Sequence, residues 1–325
     1  MPDVFLTGAT GFIGGALLDR LTTDGRSVLA LVRSEPASPR LDRTSVDTVI
    51  GDITDEDGLS AAMAGCATVF HVAGLNAMCL RDRSALEHVN VDGTMTVIRA
   101  AARAGVDRVV YTSSAASIGE PRGTVGIEST VHRGSYITSY ERSKHLAELA
   151  AFHEAALAGV ELVAINPSSV QGPGRAGGTA RILLAYLRGR LRFAIDTRMD
   201  LVFIDDVVDA HLLAESSGAP GHRYLVSGWT TTVAEAIVML TTVTGQEHRV
   251  RYFPSPLLFG AGWVIGAWCR LILRDAPFCL EMVRMLRHGH AYDGSLIERE
   301  WGFSYTPPEE WLARTVEWYR SSGLL

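Results

Sequence analysis

A glycine-rich turn between an apolar strand and a helix constrains the fold of this 325-residue chain more than any other feature. An apolar run begins at Val4, glycines follow at Gly8, Gly11 and Gly14, and helical periodicity then runs to Leu21. Short apolar runs of this kind are typical of buried strands. Glycines at this spacing let the backbone turn tightly and approach a pyrophosphate, which lies at the helix N-terminus. The stretch predicts a dinucleotide-binding α/β fold; the alternative is a structural turn in another α/β protein.

The end of the second predicted strand bears on which dinucleotide binds. This strand covers residues 27–32 and ends at Arg33, 19 residues past Gly14. In NAD-binding units, an Asp or Glu about 20 residues after the glycine-rich turn hydrogen-bonds the ribose hydroxyls, whereas an Arg there binds the 2′-phosphate of NADP. The strand end has no acid, which favours NADP and leaves NAD possible. Two alternatives stay open: Arg33 is an ordinary surface cation, or Glu35 reaches the ribose.

The following strands end in further candidate cofactor contacts. A polar residue and an apolar residue after the third strand are suited to frame an adenine, and small residues after the fourth strand leave room for a cofactor to pass. His71, within the fourth strand, is interpreted as a hydrogen-bonded core histidine, since no second ligand lies at metal spacing from it. The candidate contacts are Asp52, Ile53, Val72, Ala73, Gly74 and Asn90.

Tyr140 and Lys144 form the main candidate catalytic pair. Of the 30 Lys and Arg residues, only Lys144 is a lysine, so this position needs a compact ammonium group rather than the planar fork of Arg. Residues four apart on a helix share a face. A nearby positive charge lowers the pKa of a phenol from its usual value of about 10, and such a Tyr can exchange a proton with a substrate oxygen. The alternative is a core Tyr beside a solvated Lys.

Ser113 and Ser114 end the fifth predicted strand, where ligands of open α/β sheets bind, and a hydroxyl group there can donate to a carbonyl oxygen. The alternative is that the two serines only end the strand. Nine motifs, in the order in which they occur along the chain, resemble those of the extended short-chain dehydrogenase/reductases, within the NAD-dependent epimerase/dehydratase superfamily. The similarity covers nearly the whole chain and is greatest to the dihydroflavonol-4-reductase-like and 3β-hydroxysteroid dehydrogenase-like branch. The motifs are Thr7-Gly8-Ala9-Thr10-Gly11-Phe12-Ile13-Gly14, Gly51-Asp52-Ile53, His71-Val72-Ala73-Gly74, Asn90-Val91-Asp92-Gly93-Thr94, Tyr111-Thr112-Ser113-Ser114-Ala115, Tyr140-x-x-x-Lys144, Asn166-Pro167-Ser168, Gln171-Gly172-Pro173-Gly174 and Val202-Phe203-Ile204-Asp205-Asp206-Val207.

The resemblance implies a role for each matching residue. Ser114, Tyr140 and Lys144 correspond to the catalytic Ser, Tyr and Lys, and Lys144 also to the residue that binds the nicotinamide ribose. Arg33 corresponds to the contact with the 2′-phosphate. The cofactor contacts implied or proposed are Gly8, Thr10, Gly11, Phe12, Ile13, Gly14, Arg33, Asp52, Ile53, Val72, Ala73, Gly74, Asn90, Tyr140, Lys144, Asn166, Pro167 and Ser168.

The predicted fold class is a doubly wound parallel Rossmann sheet with a smaller, mainly helical C-terminal substrate lobe. Residues 1–170, with about 201–228 returning to them, form the nucleotide-binding domain, and 171–200 with 229–325 form the lobe. The apolar segment 257–273 is too short for a membrane span of about 20 residues. It is interpreted as a helix packed in the lobe, with a lid or a membrane-surface contact as alternatives.

Composition limits the class of partner. A net charge of −6 and a hydrophobic content of 47% suit a globular protein, and no basic stripe indicates nucleic acid binding. The four cysteines show no metal-type spacing; as free thiols they suit a reducing compartment. Together with the absence of a recognisable secretory signal, this predicts a cytoplasmic protein without a metal site. A homodimer is common among the relatives.

The sequence therefore predicts an NADP-dependent oxidoreductase that reduces a ketone or aldehyde of a fairly apolar small molecule, or runs the reverse reaction. One alternative is an NAD-retaining sugar-nucleotide epimerase or dehydratase, and another is a 3β-hydroxysteroid-type dehydrogenase. A different class is a non-catalytic NADP-binding regulator or scaffold, but such proteins typically lack the Tyr-x-x-x-Lys pair.

Overall fold

The computed structural model describes residues 2–34, 41, 46–80, 82–252 and 279–325. Its largest element is a seven-stranded sheet in which every neighbouring pair of strands is parallel. In chain order the strands are β1 (Val4–Thr7), β2 (Val28–Val32), β3 (Asp47–Ile50), β4 (Thr68–His71), β5 (Arg108–Thr112), β6 (Glu161–Pro167), β7 (Ser169–Gln171), β8 (Phe193–Ala194), β9 (Arg198–Phe203), β10 (Arg223–Val226), β11 (Trp229–Thr232) and β12 (Arg251–Tyr252).

Helices cover both faces of this sheet. In chain order they are α1 (Phe12–Thr23), α2 (Glu56–Met63), α3 (Ser84–Glu87), α4 (Gly93–Ala104), α5 (Ser139–Ala158), α6 (Ala180–Leu187), α7 (Ile204–Ser217), α8 (Val233–Thr244), α9 (Leu280–His288), α10 (Ser295–Trp301) and α11 (Pro308–Ser321). Successive strand residues point to opposite faces. Phe5 therefore packs in the core beneath α2, α4 and α5, whereas Val4 and Leu6 pack in the core beneath α1 and α7. Strands buried on both faces explain the continuous apolar runs in the sequence.

The order of the strands positions a ligand site. Across the sheet the order is β10-β6-β5-β4-β1-β2-β3. The chain moves outward from β1 through β2 to β3, and then starts again on the other side of β1 with β4. Ligands of such sheets bind beyond the carboxyl ends of the strands, at the point where the order reverses. The predicted doubly wound parallel fold is confirmed.

The second half of the chain contributes to the main sheet and to smaller ones. Strand β10 pairs with β6 at the edge of the main sheet, while β7, β9 and β11 form a separate sheet and β8 pairs with β12. Helices α8 and α11 pack together.

The domain boundaries of the sequence analysis stay a prediction. Glu35 and the segment 257–273 lie outside the described residues, and each helix within the described ranges is too short or too polar to cross a bilayer.

The prediction that all four cysteines are free thiols is wrong. Cys79, which follows β4 by eight residues, forms a disulfide with Cys279, the residue that caps the N-terminus of α9. Their separation of 200 residues hides the pair from any reading of local spacing. Cys66 is a free, buried thiol. A cross-link that closes so long a loop restricts the unfolded chain and stabilises the fold by roughly 2–5 kcal/mol.

We therefore expect the protein purified without reductant to show no more than two reactive thiols after denaturation, out of four cysteines. Cys79→Ser should lower the free energy of unfolding and expose one additional thiol, because its partner is released. Cys66→Ser is the matched control and should remove one thiol from the count. Titration with Ellman's reagent in guanidinium chloride measures both effects, and a count of four thiols in the unreduced protein would contradict the disulfide.

Candidate active site

Two glycines of the turn before α1 have no room for a side chain. A Cβ on Gly14 would lie 2.1 Å from the carbonyl oxygen of Gly8, and a Cβ on Gly8 would lie 2.7 Å from the backbone nitrogen of Ala73. Gly8 also has a φ of 78°, which other residues rarely adopt. Among the described residues no side chain caps the N-terminus of α1. The turn thus presents bare backbone and the positive end of a helix, the surroundings that a pyrophosphate needs.

Helix α5 carries both residues of the predicted catalytic pair. It starts where the side chain of Thr138 accepts a hydrogen bond from the backbone nitrogen of Glu141, and it ends at Gly159 in the left-handed conformation. Tyr140 lies in its first turn and is half-buried, whereas Lys144 lies one turn later and is buried. Ser114 follows β5 and caps a short 3-10 helix over residues 115–117.

The ammonium group of Lys144 faces the end of β5. It donates a hydrogen bond of 2.9 Å to the carbonyl oxygen of Thr112 and one of 3.3 Å to the hydroxyl group of Tyr111. A Cβ on Gly74 would lie 3.8 Å from it, so the end of β4 is also close. Burial lowers the pKa of Lys144 to about 8, although the charge of Glu148 acts in the opposite direction. Lys144 is therefore mostly charged at pH 7.

The pKa of Tyr140 is raised, mainly because burial disfavours the phenolate. Hydrogen bonding with the Ser114 side chain and the charge of Arg175 lower this pKa and offset part of the effect. The sequence predicts that Lys144 lowers the pKa of Tyr140. In the structure, the ammonium group of Lys144 is directed at β5 instead. The positive charge that lowers the pKa of Tyr140 is the guanidinium group of Arg175, in the loop after β7.

Arg175 is a site residue that sequence reasoning missed. It lies in the loop after β7, with its guanidinium carbon 5.4 Å from the centre of the Phe12 ring in the glycine-rich turn. Its Nε atom is buried and has no hydrogen-bond partner among the described residues. The only signal in the sequence was an Arg within a Gly-rich stretch, and Arg is the usual cation of this chain.

Asn90 connects the loop after β4 to α5. Its side chain accepts a hydrogen bond of 2.7 Å from the backbone nitrogen of Leu75 and donates to the carbonyl oxygen of Leu75 and to the hydroxyl group of Ser143. Ser143 in turn donates to the carbonyl oxygen of Tyr140. Between α3 and α4, Asn90 lies in a π-helical turn over residues 88–92, a distortion that often marks functional sites.

Glu148 is the second missed residue. Its buried carboxylate lies one turn past Lys144 and accepts hydrogen bonds from Ser113, Ser117, Asn166 and Arg223. Positions 140, 144 and 148 repeat every four residues on one helix face, so this spacing was a usable signal in the sequence.

The predicted adenine end lies beyond β2 and β3. Arg33 is exposed there, and its charge contributes to the lowered pKa of Asp52, after the larger effect of hydrogen bonds from Thr54. The Asp52 carboxylate accepts from both the backbone nitrogen and the hydroxyl group of Thr54. The side chain of Ile53 packs against the start of α4, where a Cβ on Gly93 would lie 2.6 Å from it.

Two polar atoms at the predicted nicotinamide end fit a bound cofactor. The Oδ1 atom of Asn166 and the hydroxyl oxygen of Ser168 are buried and lack a hydrogen-bond partner within the described residues. Such atoms are rare in folded proteins, and the carboxamide of a nicotinamide carries groups that pair with them.

The side chain of His71 has its hydrogen-bond partners within the protein. It bonds to Thr7 and Thr94, and burial lowers its pKa to about 3. The interpretation of His71 as a core histidine is confirmed.

Comparisons with known proteins agree with this architecture. Residues 4–227 match the NAD dependent epimerase/dehydratase family. A Synechocystis sp. protein provisionally named a dihydroflavonol 4-reductase is 32% identical over 329 residues, with 98% of this chain and 95% of that protein covered. Sterol demethylase protein B of Methylococcus capsulatus is also 32% identical, with 98% and 99% covered. The crystal structure of gox2253 superposes with a TM-score of 0.86 at 25% identity and covers both chains completely.

Proposed function

Because this chain belongs to the NAD dependent epimerase/dehydratase family and is an NAD(P)-dependent oxidoreductase of the extended short-chain dehydrogenase/reductase type, we propose that it uses NADPH to reduce a ketone or aldehyde of a fairly apolar small molecule. The reverse reaction, oxidation of a secondary alcohol, uses the same groups. The observation that carries the proposal is the convergence of Ser114, Tyr140 and Lys144 beyond the carboxyl end of β5.

The cofactor contacts of the proposal lie along the carboxyl ends of the strands. The turn before α1 would hold the pyrophosphate, and Asp52 with Ile53 would flank the adenine. Arg33 would bind the 2′-phosphate, which supports NADP over NAD because the described end of β2 offers no acid to the ribose. Asn166 and Ser168 would bind the nicotinamide end through their unpaired oxygen atoms.

When bound, the nicotinamide supplies or accepts the hydride. In reduction, Ser114 and Tyr140 donate hydrogen bonds to the carbonyl oxygen, and Tyr140 delivers its proton as negative charge develops there. The guanidinium group of Arg175 stabilises the phenolate that remains. Lys144 holds the nicotinamide ribose and stays anchored through the carbonyl oxygen of Thr112.

An apolar substrate is supported by the relatives that align over nearly the whole chain. One is named for dihydroflavonol reduction and another for sterol demethylation. Both names refer to ring systems with few charges. The proposed substrate class is therefore a carbonyl compound with a largely apolar skeleton, rather than a phosphorylated sugar.

Tyr140→Phe should lower kcat at least about 100-fold, since the variant keeps the ring and loses the proton that catalysis transfers. Binding of NADPH should change little. The matched control is Tyr252→Phe, on an exposed tyrosine in β12, which should keep full activity. Steady-state kinetics on a panel of aryl and alicyclic ketones, with NADPH fluorescence titration, measures both quantities, and full turnover by the Tyr140→Phe variant would refute the proposed proton transfer.

Arg33→Ala should weaken NADPH binding about 10- to 100-fold, because a charge-assisted hydrogen bond to the 2′-phosphate is lost, and should leave NADH binding nearly unchanged. Arg320→Ala removes an exposed arginine of α11 and serves as the control. Calorimetric titration of each variant with both nucleotides gives the ratio of affinities. An equal loss for NADPH and NADH would mean that Arg33 does not recognise the phosphate.

The name of the matched family supports a second candidate, an NAD-retaining epimerase or dehydratase. The two functions differ in whether the cofactor leaves after each cycle. We expect protein purified without added nucleotide to release no stoichiometric NAD upon denaturation, because a reductase exchanges its cofactor at every turnover. Chromatography of the released nucleotides with mass detection distinguishes the two. One NAD per chain would favour the epimerase or dehydratase.

A further inference from the structure

Two histidines and a glutamate that the proposed reaction does not use lie close together. Glu120 follows the 3-10 helix after β5, whereas His288 ends α9 and His290 comes two residues later. The Nε2 atom of His288 lies 3.1 Å from the Oε1 atom of Glu120, and the Nδ1 atom of His290 lies 2.7 Å from the same oxygen. All three potential ligand atoms lie within 4.8 Å of one another.

Hydrogen bonding alone leaves this cluster incomplete. The Glu120 side chain is only 1% exposed, and its Oε2 atom has no partner in the described part of the chain. The nearby guanidinium group of Arg133 pairs instead with Glu141 and donates to the backbone oxygen of Glu120. No Arg or Lys among the described residues pairs with the Glu120 carboxylate. A buried carboxylate needs a counter-charge and full hydrogen bonding. Here both imidazoles contact the Oε1 atom of Glu120, and neither contacts Oε2.

We propose that Glu120, His288 and His290 bind a divalent transition metal ion, with Zn²⁺ as the best-suited ion. Two imidazoles and one carboxylate form a ligand set of known zinc sites, in which a fourth position stays open. Tetrahedral ligand atoms at zinc distances lie roughly 3.3 Å apart. The two contacts to Glu120 are slightly shorter, so small side-chain rotations make room for the ion.

The bound ion would join two distant parts of the chain. Glu120 belongs to the segment between β5 and α5, and the two histidines belong to the end of α9, 168 and 170 residues further on. The hydroxyl group of Tyr292 lies 3.1 Å from the Nδ1 atom of His290, so it adjoins one of the proposed ligand atoms. The sequence analysis predicts no metal site: His288 and His290 lie two residues apart, but Glu120 is distant from both along the chain.

The test uses the full chain, stripped with a chelator and exchanged into chelator-free buffer. Titration with ZnCl₂ in the calorimeter, together with elemental analysis after gel filtration, should give one ion per chain, and Zn²⁺ should raise the Tm. Glu120→Gln keeps the shape of the side chain and His290→Gln keeps a polar side chain. Each should weaken Zn²⁺ binding at least about 100-fold, because each removes a ligand and the loss of a second-shell partner alone costs about 10- to 100-fold. His222→Gln, at an exposed histidine, is the matched control and should bind like the wild type.

Circular dichroism of the metal-free variants checks that they are folded, and the titration of the wild type does not depend on any variant. Failure of the wild type to bind one Zn²⁺ would overturn the proposal. Equal affinity of wild type, Glu120→Gln and His290→Gln would also overturn it, since the ion would then be bound elsewhere. Neither result depends on catalytic activity, so the oxidoreductase proposal is tested separately.

Discussion

The buried carboxylate of Glu148 is the interaction on which the site depends. A charge in this position costs several kcal/mol unless it is paired and fully hydrogen-bonded. Its partners come from the end of β5, the following 3-10 helix, β6 and β10, and they are Ser113, Ser117, Asn166 and Arg223. Helix α5 is thereby fixed to the carboxyl ends of two neighbouring strands. Lys144 and Tyr140, one and two turns earlier on the same face, take their positions from this attachment.

The electrostatics of the pair follow from that placement. Lys144 is desolvated and directs its ammonium group at β5, where a compact cation with three donors fits between a carbonyl oxygen and a phenol. The wide guanidinium fork of an Arg would not fit there, which accounts for the one lysine of the chain. The charge that favours the phenolate of Tyr140 comes from Arg175 instead.

The sequence predicts what depends on local pattern. The turn at Gly8, the parallel sheet, the position of Tyr140 and Lys144 on one helix face and the interpretation of His71 as a core histidine all follow from patterns within about twenty residues. Contacts between distant segments could not be predicted in this way. The disulfide of Cys79 with Cys279 and the approach of His288 to Glu120 depend on how the last lobe folds back, and neither has a periodic signature. The environment of Arg175 is of the same kind, since a loop residue carries no pattern.

The disulfide and the cluster around Glu120 both involve α9, at its two ends. Most helices are held in place by an apolar face, but the buried residues of α9 are only Glu281 and Val283. The helix is instead held by its ends, through the disulfide at Cys279 and the cluster around Glu120. Within its first turn, the Glu281 carboxylate accepts a hydrogen bond of 2.7 Å from the hydroxyl group of Ser139, the residue before Tyr140. Within the described residues, this hydrogen bond links α9 directly to α5, the helix that carries Tyr140 and Lys144.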